Sequence, residues 1–281
     1  MRFGLYTPCY GDYADARRMS DLAREAEQAG WDGFFISDHL QWLAPTPQHV
    51  ADPWITLTAM TMTTQRMRLG ILVTPLARRR PWKVARETLT LDHLSGGRLV
   101  VGVGIGGDWI GEYSAFGEPA DDRCHGEQLD EGLNVITGLW SGQPFSFEGK
   151  HYHIKDVQFL PPPIQHPRIP IWVAGGWPHK QPFRRAARWD GVVPFKADGL
   201  LTPHDCREIV TTIRQQRSHD APFDIVCYES TIAEDGAMDR ARIDEFAEAG
   251  VTWWLHGLDM NLTLSLAAVF DRVRQGPPQM R

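Results

Sequence analysis

Eight extended apolar runs alternate along the chain with stretches of helical spacing. Strands separated by helix-length crossovers pair in parallel, so this alternation leaves few folds open. The first unit runs from Arg2 to Pro8 as a strand and from Asp15 to Ala29 as a helix, with Met19, Leu22, Ala23 and Ala26 on one face and Gly30 as the stop. Further strands are expected at Gly33–Ser37, Met67–Pro75, Arg98–Gly104, Ile171–Ala174, Gly191–Phe195, Phe223–Tyr228 and Thr252–Leu255. Helices are expected after the Asp52-Pro53 start signal, from Pro81 to Ser95, and over Gln128–Trp140, Arg184–Arg188, His204–Arg217, Met238–Ala249 and Leu262–Arg274. Eight of each predicts an α/β fold, a closed (β/α)8 TIM barrel rather than an open doubly wound sheet. No composition shift or internal repeat divides the 281 residues, so they read as one domain over 1–281. The rhythm breaks from about 141 to 170, an aromatic, Pro-rich insertion after strand four and its helix. A short hairpin is expected there, with Phe145 to Phe159 serving as a lid over the site.

Charge and cysteine usage exclude several classes. A net charge of −6 gives no general electrostatic reason to bind nucleic acid or anionic lipid. Cys9, Cys124, Cys206 and Cys227 stand far apart without CxxC spacing, which argues against a disulfide scaffold and a zinc ribbon. His49, His151, His153 and His256 lack paired ligand spacing, so no metal is expected. No uncharged apolar run approaches the roughly 18 residues of a spanning helix, and no apolar leader follows the start. The expectation is a cytoplasmic protein.

In such a barrel the chemistry sits at the C-terminal ends of the strands. The residues there are Thr7 and Cys9, Asp38 and His39, Thr74, Gly104 to Asp108, Gly175 to Trp177, Lys196, Glu229 and Ser230, and His256. Two glycine clusters, Gly102 to Gly107 and Ala174-Gly175-Gly176, either let a phosphate or planar ring approach the backbone or make tight barrel turns. His39 in FFISDHL suits proton transfer near neutral pH, or is a satisfied structural histidine. The run Arg78-Arg79-Arg80 is either an anion-binding rim or a solvated surface.

Several segments together resemble the luciferase-like monooxygenase superfamily, which includes bacterial luciferase, alkanesulfonate monooxygenase and the coenzyme F420-dependent reductases. They are AEQAGWDGFFISDHL (26–40), DPWITLTAM (52–60), RMRLGILVTPL (66–76), ARETLTLDHLSGGRLVVGVGIGGD (85–108), EYSAFGE (112–118) and PIWVAGG (170–176). The resemblance implies a barrel holding a reduced flavin or deazaflavin at its C-terminal face, with His39 as the active-site histidine. It places Leu72-Val73 where the family often carries a cis peptide against the ring, with Thr7, Asp38 and Thr74 nearby. It sets Gly104, Ile105 and Gly106 beside the ring, and Ala174, Gly175 and Gly176 at the ribityl-phosphate end; Trp177, at the same strand end, is a further cofactor-binding candidate. Bacterial luciferase has an arginine at the position of Ile105, and the F420-dependent sugar-phosphate dehydrogenases a glutamate at that of Gly107, so neither specific activity carries over.

The expected function is therefore a flavin-dependent oxidoreductase: a monooxygenase using O2 and reduced FMN from a partner flavin reductase. Trp42, Trp109, Trp177 and Trp254 point to a hydrophobic or aromatic small-molecule substrate. An F420-dependent reductase or dehydrogenase working by hydride transfer is the alternative, with the three arginines as a rim for its acidic tail. A non-catalytic flavin-binding barrel is the second. A homodimer is expected from the superfamily and from apolar area at Trp54, Leu57, Met60, Met62, Trp82, Leu89 and Leu91.

Overall fold

The structure, a computed structural model, describes residues 1–43, 46–217, 221–229, 240–258 and 262–278. Its strands in chain order are β1 (Arg2–Thr7), β2 (Gly33–Ile36), β3 (Arg68–Pro75), β4 (Leu99–Gly104), β5 (Phe145–Glu148), β6 (His153–Val157), β7 (Ile171–Trp177), β8 (Gly191–Lys196), β9 (Asp224–Glu229) and β10 (Trp253–Gly257). The helices are α1 (Ala16–Gln28), α2 (Pro53–Thr63), α3 (Pro81–Ser95), α4 (Asp122–Trp140), α5 (Lys180–Ala186), α6 (Pro203–Gln216), α7 (Arg240–Glu248) and α8 (Leu266–Arg274). All strands but β5 and β6 pair in parallel and close into a barrel ordered β1-β2-β3-β4-β7-β8-β9-β10, as the alternation predicts.

Local signals set most boundaries. The Asp15 carboxylate accepts from the backbone N–H of Arg17 and Arg18, and Asp52 caps α2 through Ile55 N–H with Pro53 in the first turn. Gly96, at φ 66°, closes α3 in the left-handed conformation that glycine adopts freely. Helix α4 begins at Asp122 rather than Gln128 because Asp121 caps it through Cys124 N–H, and its polar first turn conceals the helical period. Helix α5 covers Lys180–Ala186 rather than Arg184–Arg188. The expected start of the seventh helix at Met238, and Ser230 among the candidate residues, lie outside the described residues.

Strand alternation sorts the apolar side chains into two cores. One lies between sheet and helices; the other fills the barrel with Phe35, Leu72, Val100, Trp172, Val193, Val226, Trp253 and Leu255. Phe35, Trp172 and Trp253 pack with ring centroids 5.2, 5.7 and 5.5 Å apart. This aromatic plug is a floor, so any ligand must bind above it, at the strands' C-terminal ends. Trp254 points the other way, against Phe246, and so leaves the group of site tryptophans expected from the sequence. His256 also faces outward, buried beside Trp31.

The insertion does form a hairpin, β5 with β6, but its position departs from the lid expectation. It follows a helix and precedes a strand, so it leaves the barrel at the end opposite the strand C-termini. It packs along the outside of α3 and α4: Phe159 lies 3.9 Å beneath the Arg86 guanidinium, and Arg86 donates to Leu160 O at 2.9 Å. Its tip is tied to Glu131, whose carboxylate accepts from the N–H groups of Lys150, His151 and Tyr152. Trp54, Leu57, Met60, Leu89 and Leu91 are buried within this one chain. Of the apolar area expected to drive dimerisation, only Met62 and Trp82 remain exposed, joined by Ile55.

Candidate active site

A cavity of about 210 Å³ opens above the plug, at the C-terminal ends of the strands. Its wall on the β3 side is Leu72 and Val73, joined by a cis peptide at the point where the β3–β4 register shifts. The Tyr6 hydroxyl donates to Leu72 O at 3.0 Å, fixing that carbonyl. Burial, then the neighbouring Tyr228 phenol, push the Tyr6 pKa well above its ordinary value, so it stays a neutral donor. Across the cavity stand Val193 and Phe195 of β8 and Tyr228 of β9, with Trp109 at the rim.

The polar edge comes from β2 and the loop after β4. His39 Nδ1 lies 3.2 Å from Glu112 Oε2, while Glu112 Oε1 accepts from Leu40 N–H at 2.6 Å and sits 2.6 Å from Arg78 Nη1. Arg78 also bonds Asp38, at 3.2 Å, and Arg79 bonds the same carboxylate at 2.9 Å. Burial alone would raise the Glu112 carboxyl, but hydrogen bonds from His39 and Leu40 and the charge of Arg78 hold it below the usual carboxylate range. A carboxylate there accepts only, so neutral His39 carries its proton on Nδ1 and keeps Nε2 as the basic nitrogen at the cavity wall. The imidazole is braced further by Trp42, edge-on at 5.0 Å, itself stacked on Tyr10 at 4.1 Å.

Of the residues singled out from the sequence, Asp38, His39, Leu72, Val73, Gly106 and Ala174 line this cavity together. The Asp38 carboxylate does so from a fully buried position committed to Arg78 and Arg79, which makes it a support for the arginines. Thr7 and Thr74 are fully buried behind the wall. Gly104, Ile105, Gly175, Gly176 and Trp177 end their strands nearby without lining the cavity. Trp177 turns toward α6, where its indole N–H donates to Asp205 at 3.1 Å. Arg78 and Arg79 are spent on buried carboxylates and do not form a free rim.

Glu112 was missed, although it opens the EYSAFGE segment. Its partner is 73 residues away, and only the closed barrel brings the β4 loop against the end of β2. The barrel-mouth residues Tyr6, Val193 and Tyr228 were missed too, since apolar or aromatic residues inside a strand carry no local sign of lining a site.

An apolar slot with one acid–base edge suits a planar ring. At about 210 Å³ the cavity is smaller than most whole small-molecule sites, which usually exceed about 300 Å³. The fold and this site define a closed α/β barrel with one largely apolar cavity and an acid–base edge at the C-terminal ends of its strands. Residues 1–253 match the profile of the luciferase-like monooxygenase family, and the chain belongs to that family. Among curated relatives, an F420-dependent glucose-6-phosphate dehydrogenase of Kineococcus radiotolerans is 32% identical over 65% of this chain and 53% of its own. The chain thus spans about half the length of the curated relatives it matches. An F420-dependent secondary alcohol dehydrogenase, solved with an F420-acetone adduct, superposes with a TM-score of 0.77 at 18% identity over 99% of this chain and 98% of that one. Monooxygenase RslO1 from Streptomyces bottropensis superposes with a TM-score of 0.69 at 24% identity, over 97% and 82%. Those two likenesses show the fold.

Proposed function

We propose that the chain is an F420-dependent oxidoreductase acting on an uncharged, largely apolar alcohol or carbonyl compound. The observation that carries the chemistry is the His39–Glu112 pair at the edge of an otherwise apolar slot. The names of the curated relatives support F420 over the FMN monooxygenation expected from the sequence. When bound, the deazaflavin supplies the hydride acceptor or donor.

The protein's part is position and proton. As an alcohol's C–H bond gives up its hydride and the C=O bond forms, the hydroxyl proton passes to His39 Nε2; in reduction the same nitrogen returns it. Glu112 fixes the imidazole tautomer and offsets the charge that His39 gains. Leu72, Val73, Val193 and Phe195 keep the slot apolar. A substrate phosphate would need a cation, yet no Lys or Arg is among the described residues lining the slot. Lys196, on the nearest strand, is committed to Asp205 at 3.3 Å. The stretches 230–239 and 259–261, which follow two barrel strands, contain no Lys or Arg in their sequence.

Titration with F420 and with FMN, followed by fluorescence, tests the cofactor; a panel of secondary alcohols and ketones beside glucose 6-phosphate tests the substrate. Micromolar F420 binding with turnover of uncharged substrates is expected. FMN binding tighter than F420, with oxygen-dependent product, would overturn the cofactor assignment, and turnover of glucose 6-phosphate alone would overturn the substrate class.

A further inference from the structure

A second cavity, of about 290 Å³, lies on the far side of Arg78 from the first. Its wall joins the turn after β3, the start of α4 and the tip of the hairpin, including Arg78, Arg80, Glu118, His125, His151 and Tyr152. Its chemistry is the reverse of the apolar slot, because polar groups with unused hydrogen-bonding capacity converge on it. Arg78, whose side chain is 4% exposed, bonds Asp38 through Nη2, meets Glu112 through Nη1 as an ion pair without hydrogen-bond alignment, and keeps Nε without a partner. His125, 4% exposed, engages Pro119 O at 2.8 Å through Nε2 and keeps Nδ1 without a partner. Buried groups left unpaired in this way are destabilising, and a ligand that pairs them removes that cost.

The charge balance has a sign as well. Arg78, Arg79 and Arg80 meet two buried carboxylates, Asp38 and Glu112, which leaves one cationic charge in excess. Arg80, exposed at the cavity edge as Glu118 is, carries that excess, with its guanidinium resting 5.9 Å over the Trp82 ring. Glu118, the carboxylate among the lining residues, is exposed at the edge, and His151 is paired with Glu127 at 3.2 Å.

We infer that this second cavity binds an oxyanion, a phosphate group in particular. Phosphate oxygens accept from Arg78 Nε–H and from Arg80. With Nε2–H given to Pro119, the Nδ1 of neutral His125 is an acceptor, which a phosphate O–H satisfies and a sulfate cannot. A free phosphate carries such an O–H, whereas the phosphodiester of F420 in the neighbouring slot does not and would engage only Arg78 and Arg80; the test separates these two sources.

Arg80 is the N-cap of α3 and makes no side-chain cap bond, so Arg80→Ser removes the charge while placing a better capping residue there. Calorimetry with inorganic phosphate should show binding to the wild type that weakens at least tenfold in Arg80→Ser, is lost in Arg80→Glu, and falls with ionic strength. Sulfate should bind more weakly than phosphate. A second arm compares F420 with its phosphate-free deazaflavin core. If the cofactor is the source, Arg80→Ser weakens F420 but not the core, and phosphate competes with F420; if a free anion is the source, F420 affinity stays unchanged. Phosphate binding equal in wild type and Arg80→Glu, or no phosphate binding together with unchanged F420 affinity, overturns the inference. The phosphate arm needs no cofactor, so it stands whichever cofactor the slot holds.

Discussion

Glu112 Oε2 lies 3.2 Å from His39 Nδ1, and this contact orients a half-buried imidazole at the cavity wall. Glu112 is in turn held by Leu40 N–H and Arg78, so the imidazole is oriented by a carboxylate that cannot itself swing away. His39→Ala should therefore reduce kcat by about two orders of magnitude or more. Glu112→Gln should reduce it by about 10- to 100-fold with little change in KM, because the loss is in orientation and charge compensation rather than substrate contact. The double variant should be no slower than His39→Ala, since the two side chains act as one unit. Steady-state kinetics of the four proteins decides the matter; multiplicative losses would show that Glu112 acts independently of His39.

The arginine that closes LDHLSGGR has a structural explanation. Arg98 is buried and donates to Ser95 O at 2.6 Å, to Thr64 O and Thr64 Oγ1 at 2.9 Å each, and to Thr61 O and Met67 O at 3.2 Å each. It gathers the carbonyls at the C-terminal ends of α2 and α3 just where β3 and β4 begin. Arg98→Met should cost about 2–4 kcal/mol, because several buried carbonyls lose their donor at once. Urea denaturation should show a lower midpoint at unchanged slope. An unchanged midpoint would mean that water replaces the guanidinium without loss.

That motif marks what was legible in the sequence. The barrel could be read because its determinants are local: the βα alternation, the Asp15 and Asp52 caps and the Gly96 stop each act within a few residues. His39 was legible because it directly follows a buried strand. The partners of the site residues were not, since Glu112, Arg78 and Asp38 meet only through barrel closure. The arginine run looked like a free rim because its compensating carboxylates lie 34 and 40 positions away from Arg78, on other strands and loops. The hairpin looked like a lid because its aromatic content says that it is covered by something, not which end of the barrel it leaves from.

His256 should give the fold an acid-sensitive term. It is 5% exposed, and burial, then the charge of Arg272, lower its pKa from 6.5 to about 4. Between those values the unfolded chain takes up a proton that the folded chain refuses. Its contribution is thus fully present above pH 6.5 and lost progressively as pH falls toward 4. Two to three pKa units correspond to roughly 3 kcal/mol. His256→Leu should flatten the stability–pH curve over that window, as followed by denaturant midpoints at stepped pH, with turnover at neutral pH retained. An equally steep curve in the variant would assign the acid sensitivity to other groups.

The aromatic plug depends on the absence of a single methyl group. A Cβ added at Gly191 would overlap the Trp172 indole and come within 2.9 Å of Asp224 O, and one added at Gly33 would come 2.8 Å from Phe35 and 2.9 Å from Trp253. Neither glycine is needed for a left-handed turn; each leaves room for a ring. Gly191→Ala should therefore destabilise by about 1–3 kcal/mol through overpacking. If ring crowding is the cause, the same substitution should cost less in a Trp172→Leu background, where the overlapping indole is gone, even though Trp172→Leu alone leaves a void. Thermal melts of the two singles and the double variant measure that coupling. Strict additivity would place the penalty on the backbone contact with Asp224 O instead of on the plug.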